Sequence, residues 1–120
     1  MTNNFVSLKD FTDLNNNRYV KKEIPSLGFI YIYKMSFKER LEYEAKNTGS
    51  DDKLDLKSPK AMTELIQVCV CNEMKKRMFD DSDGMDVLMA LESRIAQFLF
   101  AECITENYAN LKSAEELEKN

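Results

Sequence analysis

The chain has 120 residues, of which 43% are hydrophobic, 10% aromatic and 32% charged. This composition lies near the globular average, outside the range in which chains stay disordered, and a chain of this length suits one domain spanning residues 1–120. The formal net charge of -4 opposes binding to phosphate backbones and argues against nucleic acid as a partner.

The sequence lacks the patterns of export and membrane insertion. No basic region followed by an apolar run opens the chain, and no apolar run approaches the roughly 18 residues that cross a bilayer. Cys69, Cys71 and Cys103 are odd in number and lie in apolar-rich segments, which predicts free thiols packed as small hydrophobes. We therefore expect a soluble cytosolic protein with no membrane partner.

The first predicted element is a short helix or turn. Ser7 is a capping residue, and Leu8, Phe11 and Leu14 follow it at helical spacing. Three asparagines at 15–17 then end the pattern.

A β-hairpin is predicted next, because residues 18–24 and 27–35 are rich in aromatic and β-branched side chains and flank Pro25, Ser26 and Gly28. Both faces of its second strand carry apolar side chains, so we expect each face to be covered. The two faces carry Phe29, Tyr31 and Tyr33 on one side, and Ile30, Ile32 and Lys34 on the other.

Ser36 and Glu39 form a capping-box pattern, which predicts a charged helix that continues to about Lys46. This helix is expected to be mostly solvated. Its apolar side consists of Phe37, Leu41 and Ala45.

Residues 47–58 are rich in Gly, Ser, Asp and Lys and predict a mobile loop. Ser58 followed by Pro59 predicts the start of a helix that is apolar around much of its girth and therefore central to the fold. The apolar residues of this helix are Ala61, Met62, Leu65, Ile66, Val68, Cys69 and Val70.

The next helical run is predicted from about 85 to 108, capped by Asp83 or Asp86, with a possible break near 92–93. A second capping box, Ser113 with Glu116, predicts a short final helix.

Together these elements predict an α+β fold in which a small N-terminal β-hairpin packs with a mainly α-helical bundle. The hairpin half covers about 18–36, the mobile loop about 47–58 and the helical half about 59–118.

The sequence offers little chemistry. It contains no histidine, the commonest general base, and its cysteines are too few for a four-thiolate metal site. Cys69 and Cys71 would point roughly 200 degrees apart on a helix, which prevents a disulfide between them. An EF-hand loop with Gly84 in sixth place would begin at Phe79 and end at Ala90, and neither residue is a calcium ligand. We expect no catalytic residue, no cofactor and no metal.

The segment 87–104 carries apolar side chains on two helical faces. Such a helix must bury both faces, either in the core of its own chain or partly against a partner. The chain also contains seven methionines, whose flexible thioethers suit surfaces that repack around varied partners. The candidate partner-binding residues are Leu91, Ile95, Phe98, Phe100 and Ile104.

The order of features resembles the tail assembly chaperones of long-tailed bacteriophages and prophages. The resemblance covers about residues 19–120 and runs through the hairpin EIPSLGFIYIYKMS, the helix AMTELIQVCVCNE, the segment MFDDSD, the long helix to Asn107 and the tail SAEELEKN. The chain departs from that pattern in two places: its 47–58 loop is long and charged, and the usual glycine near Lys75 is missing.

The resemblance implies a non-catalytic protein of the host cytoplasm that binds the tape measure protein during tail assembly and is absent from the mature virion. It also implies tail tube subunits as further partners and weak self-association into a homo-oligomer. Two alternatives stay open, a structural or adaptor component of a phage particle and a small acidic regulator that acts through protein contacts.

Overall fold

The computed structural model describes residues 5–108. Within them, five helices and a three-stranded antiparallel sheet form an α+β fold, which confirms the predicted fold class. In chain order the elements are α1 (Leu8–Leu14), β1 (Tyr19–Ile24), β2 (Gly28–Tyr33), α2 (Phe37–Lys46), α3 (Pro59–Cys69), β3 (Val70–Cys71), α4 (Ser82–Ala90) and α5 (Ser93–Tyr108). The helix predicted after Ser113 lies outside the described residues.

The hairpin has the predicted place in the chain. Its two strands pair from Tyr19 opposite Tyr33 to Ile24 opposite Gly28. Gly28 has φ +139°, a backbone conformation that residues other than glycine rarely adopt, so the turn requires glycine there.

The sheet has a third strand that the sequence prediction missed. Val70 and Cys71 were assigned to the preceding helix, but they pair with Ile32 and Tyr31 of β2. Helix α3 therefore ends at Cys69, and Val70 is extended, with φ -83° and ψ 119°. The prediction was wrong because a β-branched residue beside an unpaired strand edge gains hydrogen bonds there that helical periodicity does not reveal. All three cysteines are free and buried.

The predicted capping box of α2 is confirmed. The Ser36 hydroxyl accepts from the Glu39 backbone N–H at 3.1 Å, and the Glu39 carboxylate accepts from the Ser36 N–H at 2.8 Å. The predicted apolar side of this helix is not its buried side, because Phe37 and Leu41 are exposed. The helix is anchored instead by Tyr43, which is 3% exposed.

Helix α3 is the central helix, as predicted. Ser58 caps it and Pro59 occupies its first turn. The Tyr43 hydroxyl donates to the Ala61 carbonyl at 2.7 Å, which ties α2 to the start of α3. The core that surrounds α3 consists of Ile30, Ile32, Tyr43, Ala61, Leu65, Ile66, Cys69, Val70, Phe79, Leu88, Leu99 and Cys103.

Helix α4 is capped by Asp81, whose carboxylate accepts from the Gly84 N–H at 2.6 Å. The sequence prediction named Asp83 or Asp86 as the cap, and both are wrong because the helix begins earlier, at Ser82. The chain then leaves the helical conformation at Leu91, and α5 begins at Ser93. The predicted break near 92–93 is confirmed.

Two polar ties hold α5 against the hairpin. The Asn107 amide donates to the Tyr33 carbonyl at 3.1 Å and accepts from the Met35 N–H at 2.7 Å. The Lys22 ammonium lies 2.8 Å from a carboxylate oxygen of Glu106, whose side chain is 4% exposed. The hydrogen bond to Glu106 raises the pKa of Lys22.

The two faces of the sheet differ. Ile30 and Ile32 are buried against the helices. The opposite face is covered only in part, and the expectation that both faces are covered is wrong at Phe29, which is 61% exposed. On this face Tyr19 packs against Tyr31 and Tyr33, and the Lys75 ammonium lies over the rings of Tyr19 and Tyr31.

Candidate functional site

An apolar groove lies where the hairpin turn meets the helices. The hairpin contributes Ile24, Leu27 and Phe29 to its walls, and the α4–α5 segment contributes Val87, Leu91 and Ile95. The groove has a volume of about 310 Å³, and glycine is its only lining residue without an apolar side chain. We call this feature the turn groove.

The hairpin turn forms one rim of the turn groove. Ser26 has φ 67° and Gly28 has φ 139°, so the backbone reverses direction around Leu27. The Leu27 N–H donates to the Ile24 carbonyl at 3.0 Å, which closes the turn. Leu27 consequently projects from the end of the hairpin and is 76% exposed.

The opposite rim comes from α4 and the segment before it. Val87 is 56% exposed and Met78 is 40% exposed, although both are large apolar residues. Beneath them, Phe79 and Leu99 are buried and close the floor. A contiguous apolar surface of this kind is typical of a site that binds another protein.

The structure separates the five predicted partner-binding residues. Leu91 and Ile95 line the turn groove. Phe98 joins Ile95 in an adjacent depression that the hairpin turn also lines. Phe100 and Ile104 are half-buried and pack against the core, away from both depressions. The five residues therefore do not form one continuous surface, and their role in binding stays a prediction.

Sequence reasoning missed Leu27, Phe29 and Val87, which form the most accessible parts of the turn groove. The sequence did give a hint at Leu27, because turns favour small and polar residues. A large apolar residue beside the turn glycine therefore suggests a contact outside the turn. Phe29 and Val87 had no such signal, because they lie on patterns that equally describe a buried strand and a buried helix face.

A further depression is lined by Lys21, Phe29, Ile30, Tyr31 and Glu73 and therefore mixes apolar and charged side chains. Another, along the 46–60 loop, is lined largely by polar and charged side chains. Among residues 5–108, no three His, Cys, Asp or Glu side chains gather closely enough to hold a metal ion.

Three buried or half-buried titratable groups are held in their neutral forms. Burial raises the pKa of Cys71 to about 11, and burial together with a hydrogen bond to Glu39 raises the pKa of Tyr33 to about 12. Burial and a hydrogen bond to Glu44 likewise raise the pKa of Tyr108 to about 12. These groups stay protonated at neutral pH, and none of the three lines the turn groove. Because the side chains that line the groove are apolar, it offers a partner shape and apolar contact.

In the part of the chain that the structure describes, no helix is both long enough and apolar enough to cross a membrane. Comparison with protein-family models, with curated proteins and with solved structures finds no match for this chain.

Proposed function

We propose that this chain is a non-catalytic tail assembly chaperone of a long-tailed bacteriophage or prophage. It binds the tape measure protein in the host cytoplasm, keeps it soluble during tail morphogenesis and is absent from the mature virion. Tail tube subunits are its second partner. The order of sequence features supports the family, and the observation that carries the binding role is the exposed, wholly apolar turn groove.

The turn groove suits one face of an amphipathic helix. Such helices present apolar side chains at positions i, i+3, i+4 and i+7, and they bind by laying this stripe into an apolar cleft. Leu27 and Val87 stand on opposite rims and would contact the two sides of the client helix, and Leu91 and Ile95 would contact it from the α4–α5 wall. One small groove gives a weak contact, so a long client is held by many copies.

The proposal is tested by co-expressing the chain with the tape measure protein encoded beside it and measuring soluble tape measure protein and its recovery in a pull-down. We expect Leu27→Asp and Val87→Asp to abolish both, because each puts a carboxylate on an apolar rim. Both side chains are more than half exposed, so the fold should survive. Phe37→Asp is the matched control, since Phe37 is 78% exposed on α2 outside the groove.

A tape measure protein that stays soluble and bound with either rim variant would reject the groove as the binding site. One that neither binds nor gains solubility with the unaltered chain would reject the chaperone. Purified particles provide a separate readout, because a chaperone is absent from them and a structural component is retained.

A further inference from the structure

The charged side chains that border the turn groove are mostly acidic. The rim formed by residues 77–87, which we call the α4 rim, has four exposed carboxylates and one cation, Arg77. The carboxylates belong to Asp80, Asp81, Asp83 and Asp86. No ion pair of residues 5–108 includes any of them. The α4 rim therefore carries a surplus of negative charge that its own chain does not neutralise.

The geometry of α4 places two of these carboxylates beside the groove. Val87 lines the groove and is 56% exposed. Asp83 and Asp86 lie roughly 40 and 100 degrees from Val87 around the helix, at about 100 degrees per residue. Leu88 lies on the opposite side of Val87 and is buried. A partner that contacts Val87 therefore meets both carboxylates on the solvent side of this residue.

The hairpin side of the groove does not offset this charge. Glu23 lies directly opposite Phe29, which lines the groove. The Lys21 ammonium lies over the same ring, 4.5 Å from its centre. Glu73 lines the adjacent depression together with Lys21 and Phe29. Two carboxylates thus accompany one lysine on this side.

The α4–α5 break adds no free cation, because the Arg94 guanidinium pairs with the Glu92 carboxylate. The side chains that line the groove are apolar, so the negative charge is confined to its margin. An apolar cleft with an acidic margin is complementary to an amphipathic helix whose apolar stripe is bordered by basic residues. Lysine and arginine suit this place, since their long aliphatic stems cover apolar surface while the charged ends reach the margin.

We propose that the turn groove selects client helices whose apolar stripe is flanked by lysine or arginine. The stripe enters between Leu27 and Val87, and the cationic side chains reach the carboxylates of Asp83 and Asp86. Helices flanked by acidic residues are rejected, because like charges meet at the α4 rim. The inference rests on the proposed function, since it concerns the same groove and names the kind of client helix that occupies it.

Three synthetic peptides of about 18 residues, long enough to form a helix, test this selection. They share one stripe of leucines at positions i, i+3, i+4 and i+7, and carry lysine, glutamine or glutamate beside it. Fluorescence anisotropy of each labelled peptide, titrated with the whole chain, measures its dissociation constant. We expect the lysine peptide to bind about tenfold more tightly than the glutamate peptide at low salt, and this difference to shrink at about 0.5 M salt.

A double variant, Asp83→Asn with Asp86→Asn, removes two charges from the α4 rim and leaves the apolar lining unchanged. We expect it to lose most of the preference for the lysine peptide and to bind the glutamine peptide as the unaltered chain does. Glu42→Gln with Asp52→Asn is the matched control, because both positions are exposed outside the groove and the net charge changes equally. Circular dichroism establishes that both double variants fold.

Leu27→Asp separates binding in the groove from simple attraction of cations, because it spoils the apolar rim while adding negative charge. We expect this variant to bind all three peptides much more weakly than the unaltered chain does. A lysine peptide that binds it as tightly as before would show that the peptide lies on the acidic surface outside the groove, which would overturn the inference.

The inference is also overturned if the unaltered chain binds none of the peptides, binds all three alike, or loses its preference in the control variant as fully as in the α4-rim variant. A tape measure protein that is rescued although the peptides show no preference would leave the proposed function standing without the charge selection. A preference for lysine together with failed rescue would reject the tape measure protein as the client and leave the charge selection standing.

Discussion

At the residue scale, the single polar side chain of Asn107 connects helix α5 to the end of the hairpin. Its amide bonds two backbone groups of the hairpin end, the Tyr33 carbonyl and the Met35 N–H, and it also donates to the Cys103 carbonyl at 3.0 Å. It therefore replaces the hydrogen bonds that the backbone of β2 loses where the strand stops.

We expect Asn107→Ala to lower the free energy of unfolding by about 2 kcal/mol, because two partly buried backbone groups each lose a hydrogen bond. Urea unfolding followed by circular dichroism measures the change. Asn16→Ala is the control at an exposed asparagine and should stay within about 0.5 kcal/mol of the unaltered chain. Equal losses in the two variants would show that Asn107 does not tie the helix to the hairpin.

Lys75 occupies a conformation that favours glycine. Its φ is 63°, and its N–H donates to the Asn72 carbonyl at 2.8 Å in the turn that follows β3. The chaperone pattern has a glycine near this position, and a lysine here costs about 1 kcal/mol of backbone strain. The ammonium of Lys75 lies 5.4 Å from the Tyr19 ring and 5.6 Å from the Tyr31 ring, contacts that offset part of this cost.

At the scale of elements, the structure confirms what short-range chemistry determines. The Ser7, Ser36 and Ser58 caps were predictable, because a cap depends on residues within one helical turn. Strand β3 was not predictable, because Val70 is extended only through its pairing with Ile32, which lies far away in the sequence. The buried side of α2 was also not predictable from local sequence. Tyr43 is buried because it bonds to α3, which lies far from it in the sequence.

The capping box of α2 makes part of the stability depend on pH. Burial alone would raise the pKa of Glu39, but hydrogen bonds from Tyr33 and Ser36 outweigh it and lower the pKa below the usual 4.5. The folded state therefore holds this proton less tightly than the unfolded chain does. The stabilising contribution is present above about pH 4.5 and is lost as the pH falls through the lowered pKa.

We expect Glu39→Gln to flatten the fall in stability between neutral and acid pH, since glutamine keeps the capping geometry but carries no titrating charge. The measurement is urea unfolding at a series of pH values from 7 down to about 3, the range in which carboxylates ordinarily titrate. Glu42→Gln on the exposed side of the same helix is the control. If both variants change the pH profile alike, the effect comes from overall charge rather than from the capping box.

At the scale of the whole molecule, the turn groove could not be read from the sequence. The groove is a gap between three parts of the chain that lie near one another without filling the space between them. These are the hairpin turn, the 70–79 segment and the α4–α5 break. The sequence predicted Leu91 and Ile95 as partner-binding residues, but the pattern did not reveal that Leu27 of the hairpin lines the same groove. A gap between three elements depends on their relative placement, which periodicity within each element does not encode.

The three buried cysteines report on the integrity of the whole fold. Cys69, Cys71 and Cys103 are each at most 2% exposed. Hydrogen bonding with Cys69 and burial raise the pKa of Cys103, and burial raises that of Cys71, so thiolate is scarce at neutral pH.

We expect iodoacetamide at neutral pH to label all three cysteines only through opening of the core, at rates that rise together as urea is added. Mass spectrometry of peptides measures each rate. Ser50→Cys provides a reference thiol in the exposed 47–58 loop and should react at once. A native cysteine that reacts as fast as Cys at position 50 would show that its part of the core opens independently.

Strand β1 forms one edge of the sheet in the described part of the chain. Strands with an open edge invite the edges of other molecules, and such pairing leads to aggregates. Here the edge carries Lys21, Lys22 and Glu23 in succession, and Pro25 follows directly after the strand. A second β1 laid alongside in parallel register would bring like charges together, and Pro25 has no N–H to donate to it. The molecule thus exposes apolar side chains at the turn groove, while its charged sheet edge discourages fibril-like stacking.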